Sequence, residues 1–306
     1  MRHGVSVALL AAVLLASGCS DDEPAPTPQV EVSETPVPTY DPTAQPAAAV
    51  LALVPDDVET VTVTDFDQVR LELGVELTDR TTAEEVAAFW QRATAERPLL
   101  TTGMLRPADQ QLAQSYGFTQ IDVAWEAHLY GADNRETGWV LRFRDETDMA
   151  KVAAATQDAT SPIDRGAVDA ANHLVSSGTT DDPAQSWAAD PETQDLAWSP
   201  ANATYLSRDC TVPPAGEDTS GDVDDLGAYA VQFEGSLVTA WLGEGRQDLF
   251  TRMRLGEDEP AFAAAYDGGV ADPVSGRIGY VMTDPAAAAQ LALEHDLPFA
   301  ACPGGD

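Results

Sequence analysis

Lysine is almost absent from this 306-residue chain: Lys151 stands alone, and arginine supplies the rest of 16 basic residues set against 51 acidic ones. The formal charge of -35 and isoelectric point near 4.1 argue against a nucleic-acid-binding surface, because phosphate contacts need clustered lysine and arginine. Excess carboxylate serves first as a solvated surface; affinity for divalent cations or a basic partner is the lesser alternative. Long apolar runs are missing too. Val5 to Leu15 is about half of the ~20 residues that cross a bilayer, and no later segment approaches that length, so no transmembrane helix is expected in the mature protein. The spacings of common catalysts are also lacking: there is no Gly-x-Ser-x-Gly elbow, no His-Glu-x-x-His, no phosphate-cradling Gly-x-x-x-x-Gly-Lys and no dinucleotide fingerprint. These absences nominate no catalytic residue and no cofactor. Beyond the leader, histidine is confined to His128, His173 and His295, well separated and without partners at zinc-ligand spacing.

What is present begins with an address. Arg2 and the apolar Val5 to Leu15 lead into Leu15-Ala16-Ser17-Gly18-Cys19, small residues just ahead of a cysteine, which resembles a lipobox. Residues 1–18 are expected to be a removable signal peptide and Cys19 the lipidated residue, holding the protein on the outer face of the cell membrane by its acyl chains. Ordinary secretory cleavage with Cys19 left free is the alternative. Residues 19–47 then form a tether rich in proline and acid, with too few large apolar groups to offset the entropy of ordering. An acidic globular domain is expected over 48–306, either single or divided into two similar subdomains near 160–180. With Cys19 given to lipid, Cys210 and Cys302 remain as a pair in an oxidising compartment, and a structural disulfide is expected between them.

Periodicity points to an α+β or mixed α/β fold, with antiparallel pairs in the sheet and helices packed on one face. A short β-rich run, an Asp and a helix recur three times, at Asp65, Asp145 and Asp284; each Asp reads as a helix cap, and Pro285 sits as a first helical residue should. Ile121 to Tyr130 alternates apolar and polar residues and returns through Gly131 to Gly138 into Trp139 to Arg144, a hairpin. Ala228 to Phe233 and Ser236 to Leu242 form a second, across Glu234-Gly235. Thr82 to Glu85 resembles a capping box opening a helix over 83–96.

Candidate ligand contacts are few. Trp90, Trp125, Trp139 and Trp241 fall on expected core faces, so Trp187 and Trp198, in a Gly-, Asp- and Pro-rich stretch, are the better candidates for a pocket or contact. The acidic loop carrying Asp218, Asp222 and Asp224 is the most ligand-like run for calcium, a weak one without the EF-hand spacing. His128 lies on the polar face of its strand beside Glu126, which reads as a solvated surface pair.

The segments LASGCS, VPDDVETVTVTDFDQVR, GFTQIDVAWEAHLYG, GWVLRFRDETDMA, LGEGRQDL and GGVADPVSGRIGYVM together resemble uncharacterised lipoproteins of actinobacteria. That resemblance implies location and a shared fold, and carries no activity or catalytic residue with it. Three functions remain: a non-enzymatic binding protein for a small or lipidic ligand, a structural or protein-interaction lipoprotein of the envelope, and, ranked last, an enzyme with an unrecognised carboxylate site.

Overall fold

The computed structural model describes residues 37–78, 80–197, 199–212, 223–257 and 259–303. Its centre is a ten-stranded antiparallel sheet. In chain order the strands are β1 (Thr60–Asp65), β2 (Val123–Tyr130), β3 (Glu136–Phe143), β4 (Ala167–Asp169), β5 (Leu174–Ser177), β6 (Ala203–Ser207), β7 (Tyr229–Glu234), β8 (Leu237–Trp241), β9 (Tyr266–Asp272) and β10 (Arg277–Met282). The helices are α1 (Pro46–Leu51), α2 (Phe66–Leu73), α3 (Ala83–Glu96), α4 (Asp109–Ser115), α5 (Met149–Ala155), α6 (Pro191–Gln194), α7 (Leu249–Arg254), α8 (Pro260–Ala265) and α9 (Pro285–Leu293). The fold is α+β.

Across the sheet the strands run β4-β5-β3-β2-β1-β6-β7-β8-β10-β9. Read outward from the middle, each half has the same order: first strand, second, third, fifth, fourth. The two first strands, β1 and β6, pair antiparallel with Thr62 opposite Tyr205. The halves therefore share one continuous sheet, and the chain passes from one to the other between β5 and β6.

Local chemistry explains most element boundaries. Asp65 accepts from the Gln68 amide to open α2, the Thr82–Glu85 capping box opens α3, and Asp284 accepts from Ala286 and Ala287 ahead of α9 with Pro285 in its first turn. These side chains satisfy amides that a helix start leaves unpaired. Asp145 departs from the expected pattern. Its carboxylate pairs with Arg142, and Asp148 caps α5, which begins at Met149. The second hairpin forms as expected but turns at Gly235 and Ser236, one residue beyond Glu234-Gly235. The first is tighter than expected, with β3 starting at Glu136. Its alternation also breaks, because a register shift between Val123 and Trp125 turns Val123 to the opposite face from Trp125, Ala127 and Leu129. A bulge adds one residue to a strand and so reverses the side-chain alternation beyond it.

Three apolar clusters hold the layers together. On one sheet face Phe66, Phe89, Trp90 and Phe143 pack under α2 to α5 in the first half. On the same face of the second half Tyr229, Phe233, Phe262 and Phe299 pack under α7 to α9. The opposite face of the first half is covered by α1 and the α6 region around Val61, Trp125, Trp187 and Leu206, so helical cover is not confined to one face. The corresponding face of β8, β10 and β9 is open, with Leu237 54%, Val281 44% and Val270 70% exposed.

Candidate functional site

β1 lies at the middle of the sheet, and its residues decide what that middle contains. Thr60, Thr62 and Thr64 point toward the long helices, and the register sets Thr62 beside His128 and Tyr205, and Thr64 beside Glu126. All six are buried. A polar seam thus separates the two apolar clusters on that face.

Glu126 and His128 form its strongest cluster, and this corrects the expectation of a solvated pair. The Glu126 carboxylate is fully buried and accepts from Thr101 Oγ1 at 2.6 Å, the Met104 amide at 3.0 Å, Gln120 Nε2 at 3.1 Å and His128 Nε2 at 2.7 Å. His128 Nδ1 reaches Glu136 Oε1 at 3.0 Å. Burial disfavours the imidazolium, but the two carboxylates outweigh it and push His128 up to about 9. Desolvation likewise opposes the Glu126 carboxylate, yet the hydrogen bond and charge of His128, with the Thr101 and Met104 donors, hold it below its ordinary value. A carboxylate has about four lone-pair sites, and here four groups occupy them. The cluster therefore pins the loop carrying Thr101 and Met104 onto β2 and presents no free base.

Asp65 is a second perturbed carboxyl, pushed up to about 6 by burial, with an oxygen already committed to the Gln68 amide. At the other side of the seam, Tyr205 and Asn134 bracket His295. Its Nδ1 lies 2.7 Å from the Tyr205 hydroxyl and its Nε2 lies 2.6 Å from Asn134 Oδ1. Since the amide oxygen only accepts, Nε2 carries the proton and Nδ1 accepts from the tyrosine. Burial pushes His295 below its ordinary value. This bond ties the segment after α9 to the β2–β3 hairpin, and so one half of the sheet to the other. A cavity of about 240 Å3 beside it is lined by Thr60, Ser207, Tyr229 and His295, with Glu59 and Asp209 also present.

A cleft of about 710 Å3 lies where the α6 cover ends and the open sheet face begins. Trp241 and Arg277, paired across β8 and β10, form its floor, while Glu192, Asp195, Glu244 and Arg246 line its sides. Trp241 is half-buried, and its indole Nε1 donates to the Ser275 carbonyl at 2.8 Å. The rim is built by close backbone approach. Leu242 donates to the Gly276 carbonyl, and a side chain on Gly276, whose φ is +69°, would be driven into the Gly243 carbonyl. Arg246 stiffens the next turn: its guanidinium is spent on Asp248 and on the carbonyls of Asp224, Asp225 and Leu242.

Of the residues nominated from sequence, Cys210 and Cys302 are joined in a disulfide. The bond is flanked by a backbone bridge, Thr211 donating to Ala300 and Cys302 donating to Thr211, both at 2.8 Å. Trp187 corrects its expectation as a ligand contact. It is fully buried, its indole donates to the Val58 carbonyl, and Arg208 stacks 4.4 Å above it. The Asp224 carbonyl accepts from both Arg246 and Arg252. Cys19, Trp198, Asp218 and Asp222 lie outside the described residues.

No protein-family model, curated protein or solved structure matches this chain.

Trp241, expected on a core face, does pack against the cluster around Trp125 and Trp187, and its uncovered part lines the cleft because β8 has its helical cover on one side only. His295 had no local signal at all, since its partners lie 90 and 161 residues away.

Proposed function

We propose that this chain is a lipid-anchored extracytoplasmic binding protein, non-enzymatic, held at the outer face of the membrane through Cys19 and binding a small ligand in the Trp241 cleft. The observation that carries this reading is the cleft itself: an aromatic floor of half-buried Trp241 beside charged groups, at a place where the sheet is uncovered. Ligand sites combine apolar or aromatic lining with a few fixed polar groups. The most strongly perturbed cluster, around Glu126, has its hydrogen-bonding capacity filled, which favours binding over catalysis. A protein-interaction role is the second reading, favoured by exposed Leu237, Val270 and Val281 on the open face.

Two measurements test the proposal. Cys19→Ala is expected to release the chain from the membrane fraction into the medium; continued membrane retention would remove the anchor. Native mass spectrometry of the full-length exported chain is expected to show a ligand adduct that Trp241→Ala loses. A clean apo mass, together with a stoichiometric complex with an envelope protein blocked by Leu237→Asp, would replace this reading with the interaction role.

A further inference from the structure

We infer that the open face of β8, β10 and β9 docks a short, basic amphipathic helix of a partner protein, laid across the strands. This goes beyond ligand binding at Trp241 and holds whether that cleft is filled or empty.

Seven large apolar side chains are exposed among the described residues, and three of them, Leu237, Val270 and Val281, share this one face. Apolar groups gathered in one exposed patch mark an interaction site, whereas scattered ones do not. In the first half the same side of the sheet is covered. Val140 on β3 and Leu174 on β5 are buried there, in the cluster to which α1 contributes Ala47, Val50 and Leu51. The second half repeats the strand order without such a cover. The molecule thus contains an example of what suits this kind of face: a short helix of small and branched apolar residues. Gly279, in the row next to Leu237 and Val281, has no side chain to hold a helix away.

Charge decides the partner's chemistry. Strand register sets Glu234, Leu237, Val281 and Asp267 side by side across β7, β8, β10 and β9. Both carboxylates are exposed, so one row presents two apolar residues bracketed by two acids. Arg277, the only basic residue of these four strands, lies two rows away, about 14 Å along β10 and beyond the ~8 Å screening length of physiological salt. The row is therefore negative at both ends and favours lysine or arginine at both ends of whatever lies on it. Three inter-strand spacings of ~4.8 Å make it about 14 Å long, which a helix rising ~1.5 Å per residue covers in about ten residues. Two basic residues about ten positions apart, with apolar residues about three and seven positions after the first, fall on one helix face and meet the row in order. A second copy of this chain fits less well, because it carries the same acids and a formal charge of -35. An anionic lipid surface is repelled by the same pair of carboxylates. An added strand requires a sheet edge, whereas this row lies on the face.

The test uses the full-length chain in a non-ionic detergent and the fluorescence anisotropy of a labelled, amidated helical peptide. The peptide carries two lysines about ten positions apart, with leucines about three and seven positions after the first, on an alanine and glutamine background. A second peptide has glutamate in place of each lysine. The basic peptide is expected to bind with Kd below about 100 μM, and the acidic one at least about tenfold more weakly. Leu237→Asp should weaken the basic peptide by about tenfold or more. The double variant Glu234→Lys with Asp267→Lys, both exposed positions, should keep the unfolding midpoint and reverse the preference, so that the acidic peptide binds more tightly. Equal binding of the two peptides, basic-peptide binding unmoved by these variants, or no binding of either peptide would each overturn the inference. A concentration-dependent dimer, or adsorption to phosphatidylglycerol vesicles, that Leu237→Asp abolishes while neither peptide binds would assign the face to a second copy or to lipid instead. None of these outcomes bears on the ligand reading, which the Trp241→Ala native mass tests separately.

Discussion

Glu126 and His128 stand two apart on one strand, so they share a face, and sequence placed that face in water because it is polar. The face is buried because Thr101, Met104 and Gln120 from the segment between α3 and β2 fold over it. Burying a charge is tolerable only when it is paired and hydrogen-bonded. The pair has a consequence in pH. His128 is held at about 9 in the folded chain against an unfolded value near 6.5. Its contribution is therefore complete below about pH 6.5 and is lost as pH rises through 9, on the order of 3 kcal/mol at most. Urea unfolding from pH 6.5 to 9.5 should show that decline, and His128→Gln should flatten it; a wild-type profile level across this range would refute the buried ion cluster. His295 acts in the opposite sense. Its folded value lies below its unfolded one, so its contribution is lost as pH falls below about 6.5.

Helix starts are governed by a few neighbouring residues, and for that reason Asp65, the Thr82–Glu85 box and Asp284 were legible in advance. Asp145 misled because a second acceptor, Asp148, lies one turn further on and directly precedes the helix over Met149–Ala155, apolar but for Lys151. Its rival use was on the strand side, where Arg142 claims it. Strand faces were harder, since alternation says which residues share a side but not whether that side is covered. At the cleft rim the deciding contact is between two turns that are distant in sequence. Gly276→Ala is expected to destabilise the protein by about 2 kcal/mol or more, through the left-handed backbone and the clash with Gly243. It should also weaken any ligand held by Trp241. Equal unfolding midpoints for Gly276→Ala and wild type would mean that the two turns do not interlock.

For the whole molecule, the disulfide closes a loop whose ends are 92 residues apart. In the chain-entropy model that restriction of the unfolded state contributes about 4 to 5 kcal/mol. Replacing both Cys210 and Cys302 by Ala should lower the unfolding free energy by an amount of that order; a change under about 1 kcal/mol would show that the Thr211–Ala301 bridge and the buried Arg252, which binds the Phe299 and Ala301 carbonyls, hold the C-terminal segment unaided. The strand order repeated in each half is also a property of this scale. The three strand, Asp and helix units follow β1, β3 and β10, which are not equivalent strands of the two halves, and the expected divide near 160–180 falls on β4 and β5, before the chain changes halves between Ser177 and Ala203; β1 and β6 join the halves into one sheet.

Sequence by itself determined the acidic character, the cysteine pairing, the capped helix starts, the two hairpins and the α+β class. Each depends on composition or on residues within a turn or two of one another, where short-range sterics and hydrogen bonding dominate. Only the tertiary structure decided that Glu126 and His128 are buried, that Trp187 is core while Trp241 faces a cleft, and that His295 bridges the halves. Those outcomes follow from which helix or turn covers which sheet face, and that is set by the summed packing of segments far apart in the chain, for which no local pattern stands in.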